Sequence, residues 1–561
     1  MQVRIRISRA PSRPTLAQAA APAPGNAPAA TERSSKAHAD LSGSSRVALG
    51  ILVSRLTGLV RERAIAHYFG DSSVADAFGA AIRIPNLLSN LFGEGVLSAS
   101  FVTVYSKLRA RGEDREAEHV AAAVLGILSL ACSALVLLGI LLTPLLVDII
   151  APGFKADKRE LTIQIVRITF PGTGLLVMSA WCLGVLNSHR RFLLSYMAPV
   201  AMNVSMIVAL ILFGRHNSED RLVIDLAWAF VLGSALQFVV QVPRVLQILP
   251  GIRPSLDATS AHVRAVLRNF APIFLSRGVV QISAYIDSII GSYLPTGAVA
   301  ALRYGQIISV LPVSLFSMSV AAAELPVLSS SVGTEQEVAA FLRGRLSAGL
   351  RRIAFFVVPS AVAFLVLGDV VTAALYQSGR FHYQDALYVW SILAGSAVGL
   401  LATSLGRLYS SAFYALLDTR TPLRFAVVRV ILTTALGLLF ALSVPRWLGI
   451  DLKWGAAGLS ASAGIAGWVE FALLRHALNR RIGPTPLAPE FLLKLWSAAF
   501  SGAFLAYLVK LPIAATHPQI RAALVLPLYG AIYFAATSFL GIDESRTTLN
   551  SILRRLRRMA A

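Results

Sequence analysis

The residues in this sequence that could do chemistry are ionisable side chains set inside apolar stretches. Between positions 46 and 105 stand Arg55, Arg61, Glu62, Arg63, Asp76, Arg83 and Glu94. A charge at the centre of a membrane-spanning helix costs about 2.5–3.5 kcal/mol on insertion scales, so a cluster of this density requires a water-filled cavity or an ionic ligand. Arg55 and Glu62 are two helical turns apart and share one face, with Arg61 beside it. Gly58 between them leaves room for a neighbouring backbone or a ligand. A thinner set follows in the second half: Arg277, Asp287, Arg303 and Glu324. Guanidinium groups present a planar donor fork that fits phosphate oxygens, so a net cationic cavity suits an anionic substrate. The carboxylates Asp76, Glu94, Asp287 and Glu324 keep a proton-coupled pump for cations open. A purely structural role is also available: Arg63 and Asp76 can snorkel to the interface, and Arg61 with Asp76 or Arg83 with Glu94 can neutralise one another.

The elements that position these groups follow from composition. The chain has 561 residues, 56% hydrophobic and 14% charged, with mean hydropathy +0.66, whereas a soluble domain is roughly 25% charged. This predicts an all-α polytopic membrane protein with about 14 transmembrane helices. The 51 basic and 29 acidic residues leave a net charge of +22. In a membrane protein that excess belongs to cytoplasmic loops facing anionic lipid, which argues against nucleic acid as a partner. Cys132 and Cys182 lie in apolar stretches without C-x-x-C spacing, and the nine His form no ligand cluster. With no P-loop or nucleophile elbow either, neither an enzyme nor a cofactor or metal site is indicated.

Residues 1–45 are rich in Ala, Pro, Ser and Arg and read as a disordered cytoplasmic tail. Counted with the N-terminus inside, the inner loops hold about 19 Lys/Arg and the outer loops about 10, which places both termini in the cytoplasm. Residues 542–561, with Arg554, Arg555, Arg557 and Arg558, read as a basic cytoplasmic tail that forms an amphipathic helix on anionic lipid.

A faint internal repeat organises the spans. S-R-L-T-G at Ser54 is echoed by S-R-G-V-V at Ser276, L-F-G-E-G at Leu91 by L-F-S-M-S at Leu315, and L-N-S-H-R at Leu186 by L-D-T-R-T at Leu417. The offsets cluster at about 222 to 231 residues. An even number of spans separates the copies, so two parallel-repeat six-helix lobes, 46–250 and 251–480, are expected around a central cavity, followed by a helix pair at 481–541. Lobes of this kind hold a substrate site between them and alternate its exposure.

The segment S-R-L-T-G-L-V-R-E-R-A-I-A-H-Y-F-G at Ser54, with A-D-A-F at Ala75, R-I-P-N-L-L at Arg83 and F-G-E-G at Phe92, resembles the MurJ (MviN) lipid II flippases of the MOP superfamily. A-P-G-F at Ala151, S-G-R-F at Ser378 and D-T-R-T-P at Asp418 extend the resemblance over about 46–540. It implies a fourteen-helix inner-membrane transporter that moves lipid II, the undecaprenyl-pyrophosphate-linked disaccharide-peptide precursor of peptidoglycan, to the outer leaflet. The last two helices would form a groove for the lipid tail. Arg61 and Glu62 occupy the family's essential Arg-Asp pair, while Arg55, Asp76 and Arg83 match charged positions. On this basis Arg55, Arg61, Arg83 and Arg303 are expected to bind pyrophosphate, and Glu62, Asp76, Glu94 and Asp287 to form gating ion pairs.

The chain departs from the family pattern at Ser89 and Asn90, where arginines are common. It departs again at Y-G-Q-I from Tyr304 to Ile307, where the family reads Y-A-D-R; Arg303, one turn away, is the expected substitute. The expected driving force is membrane potential or an ion gradient, the expected partners are lipid II, membrane lipids and cell-wall synthesis proteins, and the expected state is a monomer. The alternatives are a flippase for another polyprenyl-pyrophosphate glycan, a MATE-like drug/cation antiporter, and a non-transporting cell-wall scaffold.

Overall fold

The computed structural model describes residues 50–92, 97–330, 333–485 and 487–560. The tail expected at 1–45 lies outside the described residues. A first helix, α1, covers 50–69. It is followed by α2 (Ser73–Ala81), α3 (Arg83–Phe92), α4 (Thr103–Ala110), α5 (Asp114–Leu141), α6 (Thr143–Ile150), α7 (Ala156–Ser188), α8 (Phe192–Phe213), α9 (Glu219–Val239) and α10 (Val242–Ile248). The second half holds α11 (Ala261–Gly291), α12 (Ala298–Pro312), α13 (Ser319–Ser329), α14 (Glu335–Val366), α15 (Gly368–Tyr376), α16 (Tyr383–Ala415), α17 (Arg420–Leu438), α18 (Val444–Leu448) and α19 (Gly455–Ile482). Then come α20 (Pro489–Lys510), α21 (Pro518–Phe539) and the terminal α22 (Asp543–Ala560).

Among the described residues, 11 helices are long and apolar enough to cross a membrane. The expectation of about 14 spans differs by the stretches 46–69, 75–105 and 265–293. These are also helical where described, but charge and breaks lower their apolar continuity. Helix α1 carries Arg55, Arg61, Glu62 and Arg63, the second stretch is interrupted at Ile82, and α11 carries Arg264, Arg268 and Asp287. In α1, four charges within nine residues interrupt the apolar run.

Local signals set the helix ends. The Ser72 side chain caps α2 by accepting from Ala75 N–H, and Thr334 with Glu337 forms a reciprocal capping box at the start of α14. Pro312 lacks an N–H, and the helix beyond it widens into a π-helical segment, Val313–Met318, before α13 resumes. Helix α7 packs against α2, α3, α5 and α9, whereas α16 packs against α12, α14 and α19, so each half of the chain has a long central helix. Helices α20 and α21 pair and lean on α14 and α15.

The outward faces are apolar. Leu138, Leu141, Ile211, Leu232, Ile431 and Phe504 are all exposed, a pattern stable when the solvent is hydrocarbon rather than water. Polar groups turn inward instead. Cys132 and Cys182 are free thiols buried in this packing.

Candidate functional site

Neighbouring residues on a helix point about 100° apart, and α1 uses that offset to address two partners. Arg61 donates to Asn203 Oδ1 on α8 at 2.9 Å and to Glu62 Oε1 at 2.6 Å. The second carboxylate oxygen of Glu62 lies 2.8 Å from Nη1 of Arg303 on α12. Glu62 is 3% exposed and Arg303 9% exposed, so one carboxylate is held between guanidiniums from opposite halves of the chain. The Arg303 guanidinium also lies 5.6 Å from the Phe78 ring and 5.2 Å from the Tyr304 ring. Among the described residues its Nε and Nη2 have no hydrogen-bond partner, leaving donors for an oxyanion. Nearly two turns earlier on α1, Arg55 donates to Ser314 Oγ at 3.0 Å, within the π segment that follows Pro312. A Cβ at Gly58 would lie 3.7 Å from Asn203 Nδ2, an ordinary contact, so Gly58 faces α8.

Asp76 does different work. It is 1% exposed, pairs with Lys158 at 2.5 Å, and accepts the Gly297 and Ala300 N–H groups at 2.8 Å each. Those amides open α12, whose N-terminal dipole favours an anion. Asp76 therefore joins the first half of the chain to the second at one end of the bundle. More joints sit at that end: Arg63 donates to the Ala374 and Leu375 carbonyls, Tyr304 OH donates to the Gly70 carbonyl, and Arg380 pairs with Glu219. Gly297, at φ +94°, is obligatory there, because a Cβ would meet the Asp71 carbonyl oxygen at 2.6 Å. The pairing of Arg61 with Asp76 does not form; Arg61 takes Glu62 and Asp76 takes Lys158, since residues on successive helices of the same half face different neighbours. Glu324 pairs with Arg345 outside this network. Glu94 lies outside the described residues, as does the side chain of Arg277.

The remaining expected residues, Arg83 and Asp287, meet elsewhere. They line a cavity of about 450 Å³ that runs between α11, α12, α16, α17 and α19 and also holds Arg407 and Arg429. The Arg83 carbonyl accepts from Tyr285 OH at 3.0 Å. Arg429 pairs with Glu470 at 3.1 Å. Sequence reasoning missed Arg407, Arg429 and Glu470, although each is a charge inside an expected span and the same cost argument would have marked it. It also missed Asn203 and Lys158, for which no spacing rule exists, because they become partners only through packing.

A bundle of long helices with an apolar outside, buried charges joining two halves and a cationic internal cavity has the architecture of a polytopic membrane transporter. A solved structure described as "Lipid II flippase MurJ, inward closed conformation" shares the fold with TM-score 0.74 and 24% identity, over 89% of this chain and 99% of that one. A multidrug resistance MATE transporter of the MOP superfamily in an inward-facing conformation matches with TM-score 0.63 and 17% identity, over 78% and 98%. The sequence pattern of the family described as "Lipid II flippase MurJ" matches residues 65–530. The chain is 30% identical over 506 residues to the lipid II flippase MurJ of Burkholderia cenocepacia, covering 87% of this chain and 95% of that protein. It is 31% identical over 468 residues to a probable lipid II flippase MurJ of Rhizobium tropici, covering 82% and 85%. The chain belongs to the lipid II flippase MurJ family.

Proposed function

We propose that this chain flips lipid II, an undecaprenyl-pyrophosphate-linked disaccharide peptide, from the inner to the outer leaflet of the bacterial cytoplasmic membrane by alternating access. Family membership supports the substrate. The observation that carries the mechanism is Glu62 shared between Arg61 and Arg303. A pyrophosphate entering from the inner side offers more charge and more acceptor oxygens than one carboxylate, so it can displace Glu62 from Arg303 and engage the free Nε and Nη2 of that guanidinium. Arg55 and Arg83 supply the further cationic contacts. Displacing the bridging carboxylate loosens one tie between the halves, and the Asp76 joint at the opposite end must then open for release. No covalent bond changes, so the protein works as a transporter and not as an enzyme. The driving force is the membrane potential, about 2.3 kcal/mol per charge per 100 mV, or an ion gradient.

Both termini lie in the cytoplasm in this reading, which the loop-charge bias supports. The halves act as two lobes, 46–250 and 251–480, and the pair 481–541 accommodates the lipid tail. The protein acts as a monomer beside cell-wall synthesis proteins.

The test replaces the depleted flippase of a bacterium with this chain and measures lipid II exposed on the outer leaflet. Wild type should restore exposure and Arg61→Ala should not, with equal amounts of both in the membrane. Restoration by Arg61→Ala overturns the assigned role of the site. Failure of wild type points to another polyprenyl-pyrophosphate glycan, or to the cation antiport that the MATE-like fold allows. Loss of function on deleting the basic tails alone would instead indicate a scaffold.

A further inference from the structure

The cavity shared by Arg83, Asp287, Arg407 and Arg429 has a direction. Arg407 lies eight residues from the end of α16 and Arg429 nine residues from the start of α17, about 12–14 Å along each axis from the loop that joins them. Asp287 lies four residues from the opposite end of the bundle, at the close of α11. The cavity thus runs from Arg407 and Arg429, near the side that loop charges assign to the cytoplasm, towards Arg83 and the Asp76 end. Its charged lining is three guanidiniums against one carboxylate. Arg407 is exposed at the cavity and, among the described residues, makes no ion pair. Arg429 spends one nitrogen on Glu470, while its buried Nε has no hydrogen-bond partner among the described residues. Ser396 and Thr403 line the same cavity from α16, their hydroxyls donating to the Ile392 and Gly399 carbonyls. An unpaired cation within hydrocarbon depth is costly, and the volume is large enough for a phosphate-sized group with its water.

We infer that Arg407 and Arg429 form a second oxyanion site, in which an anionic group of the transported head group is held on the inner side before it reaches Arg83. This rests on the flippase reading and adds a station to it. Two sources on lipid II carry the right chemistry, the pyrophosphate and the carboxylates of the peptide. Either accepts two hydrogen bonds from a guanidinium fork.

The experiment measures the affinity of purified full-length protein in lipid nanodiscs for two probes, lipid II and undecaprenyl pyrophosphate, which lacks sugar and peptide. Wild type is compared with Arg407→Gln and Arg407→Lys, and the thermal midpoint of each variant reports folding. Arg407→Gln should weaken binding about tenfold or more, as loss of a charged hydrogen bond does, and Arg407→Lys should recover part of it. Weakening for both probes assigns the site to pyrophosphate; weakening for lipid II alone assigns it to peptide carboxylate. Unchanged affinity of Arg407→Gln for both probes, with wild type binding normally, overturns the second site and leaves the flippase reading standing. Wild type that binds neither probe overturns both.

Discussion

Glu62 sits between two cations that reach it from opposite halves of the chain. In a water-poor interior such a triad is poised, because removing the central charge exposes two guanidiniums to each other. Glu62→Gln should therefore destabilise the protein by about 3–5 kcal/mol, the range for breaking a buried pair. Arg303→Gln should cost less, since Glu62 keeps Arg61 at 2.6 Å. Thermal unfolding in detergent orders the two variants, and the reverse order would show that Arg303 rather than Glu62 anchors the network. The spacing of Arg55, Arg61 and Glu62 on α1 was legible in the sequence, as was the need for a polar environment. That Arg303 spends one nitrogen on Glu62 was not, because a partner so distant in sequence is chosen by packing.

At the scale of elements, the second half depends on the close approach of α16 and α19. A Cβ at Gly399 would lie 2.2 Å from the Cα of Gly464, so the two backbones touch where neither carries a side chain. Helices in lipid gain their association from such packing and not from a hydrophobic drive. Gly399→Leu should push the helices apart and lower stability by about 1–3 kcal/mol or more. It should also distort the cavity that Arg407 and Arg429 line, readable as a lower thermal midpoint together with weaker probe binding. A variant as stable as wild type would mean that α19 can move aside at no cost. Helix existence was readable from apolar runs, but α1 falls outside a simple hydropathy count because Arg55, Arg61, Glu62 and Arg63 interrupt it.

For the whole molecule, the decisive feature is the joint around Asp76. Asp76→Ala removes the acceptor of the Gly297 and Ala300 amides, so hydrogen exchange at the start of α12 should accelerate; unchanged protection would show that other contacts hold the end shut. The same joint should respond to pH through Asp71, in the loop between α1 and α2. Burial and the neighbouring Asp385 carboxylate push Asp71 up to about 6, against the opposing pull of Lys453, with Asp76 a further repulsive neighbour. An acid whose value is raised in the closed state favours that state when protonated. The contribution is complete below about pH 4, where an ordinary carboxyl titrates, and is lost as pH rises through about 6. The closed joint should be tighter at pH 5 than at pH 7.5, measured as a distance between spin labels on the loops 70–72 and 292–297. Asp71→Asn should flatten that dependence, and an equal slope in the variant would exclude Asp71 as its source.

The sequence by itself determined that the chain lives in a membrane, that its helices are many and long, and that α1 and α2 carry charges too costly to be idle. Those properties are local: apolar runs, caps and i, i+7 spacing need no knowledge of what lies opposite. Only the tertiary structure decided that Glu62 bridges Arg61 and Arg303, that Asp76 takes Lys158 and two amides of α12, and that Arg407 and Arg429 share a cavity with Arg83. Ion-pair partners are selected by which faces meet when helices pack. In a chain with more arginines than buried carboxylates, many pairings satisfy the same sequence until the fold selects one.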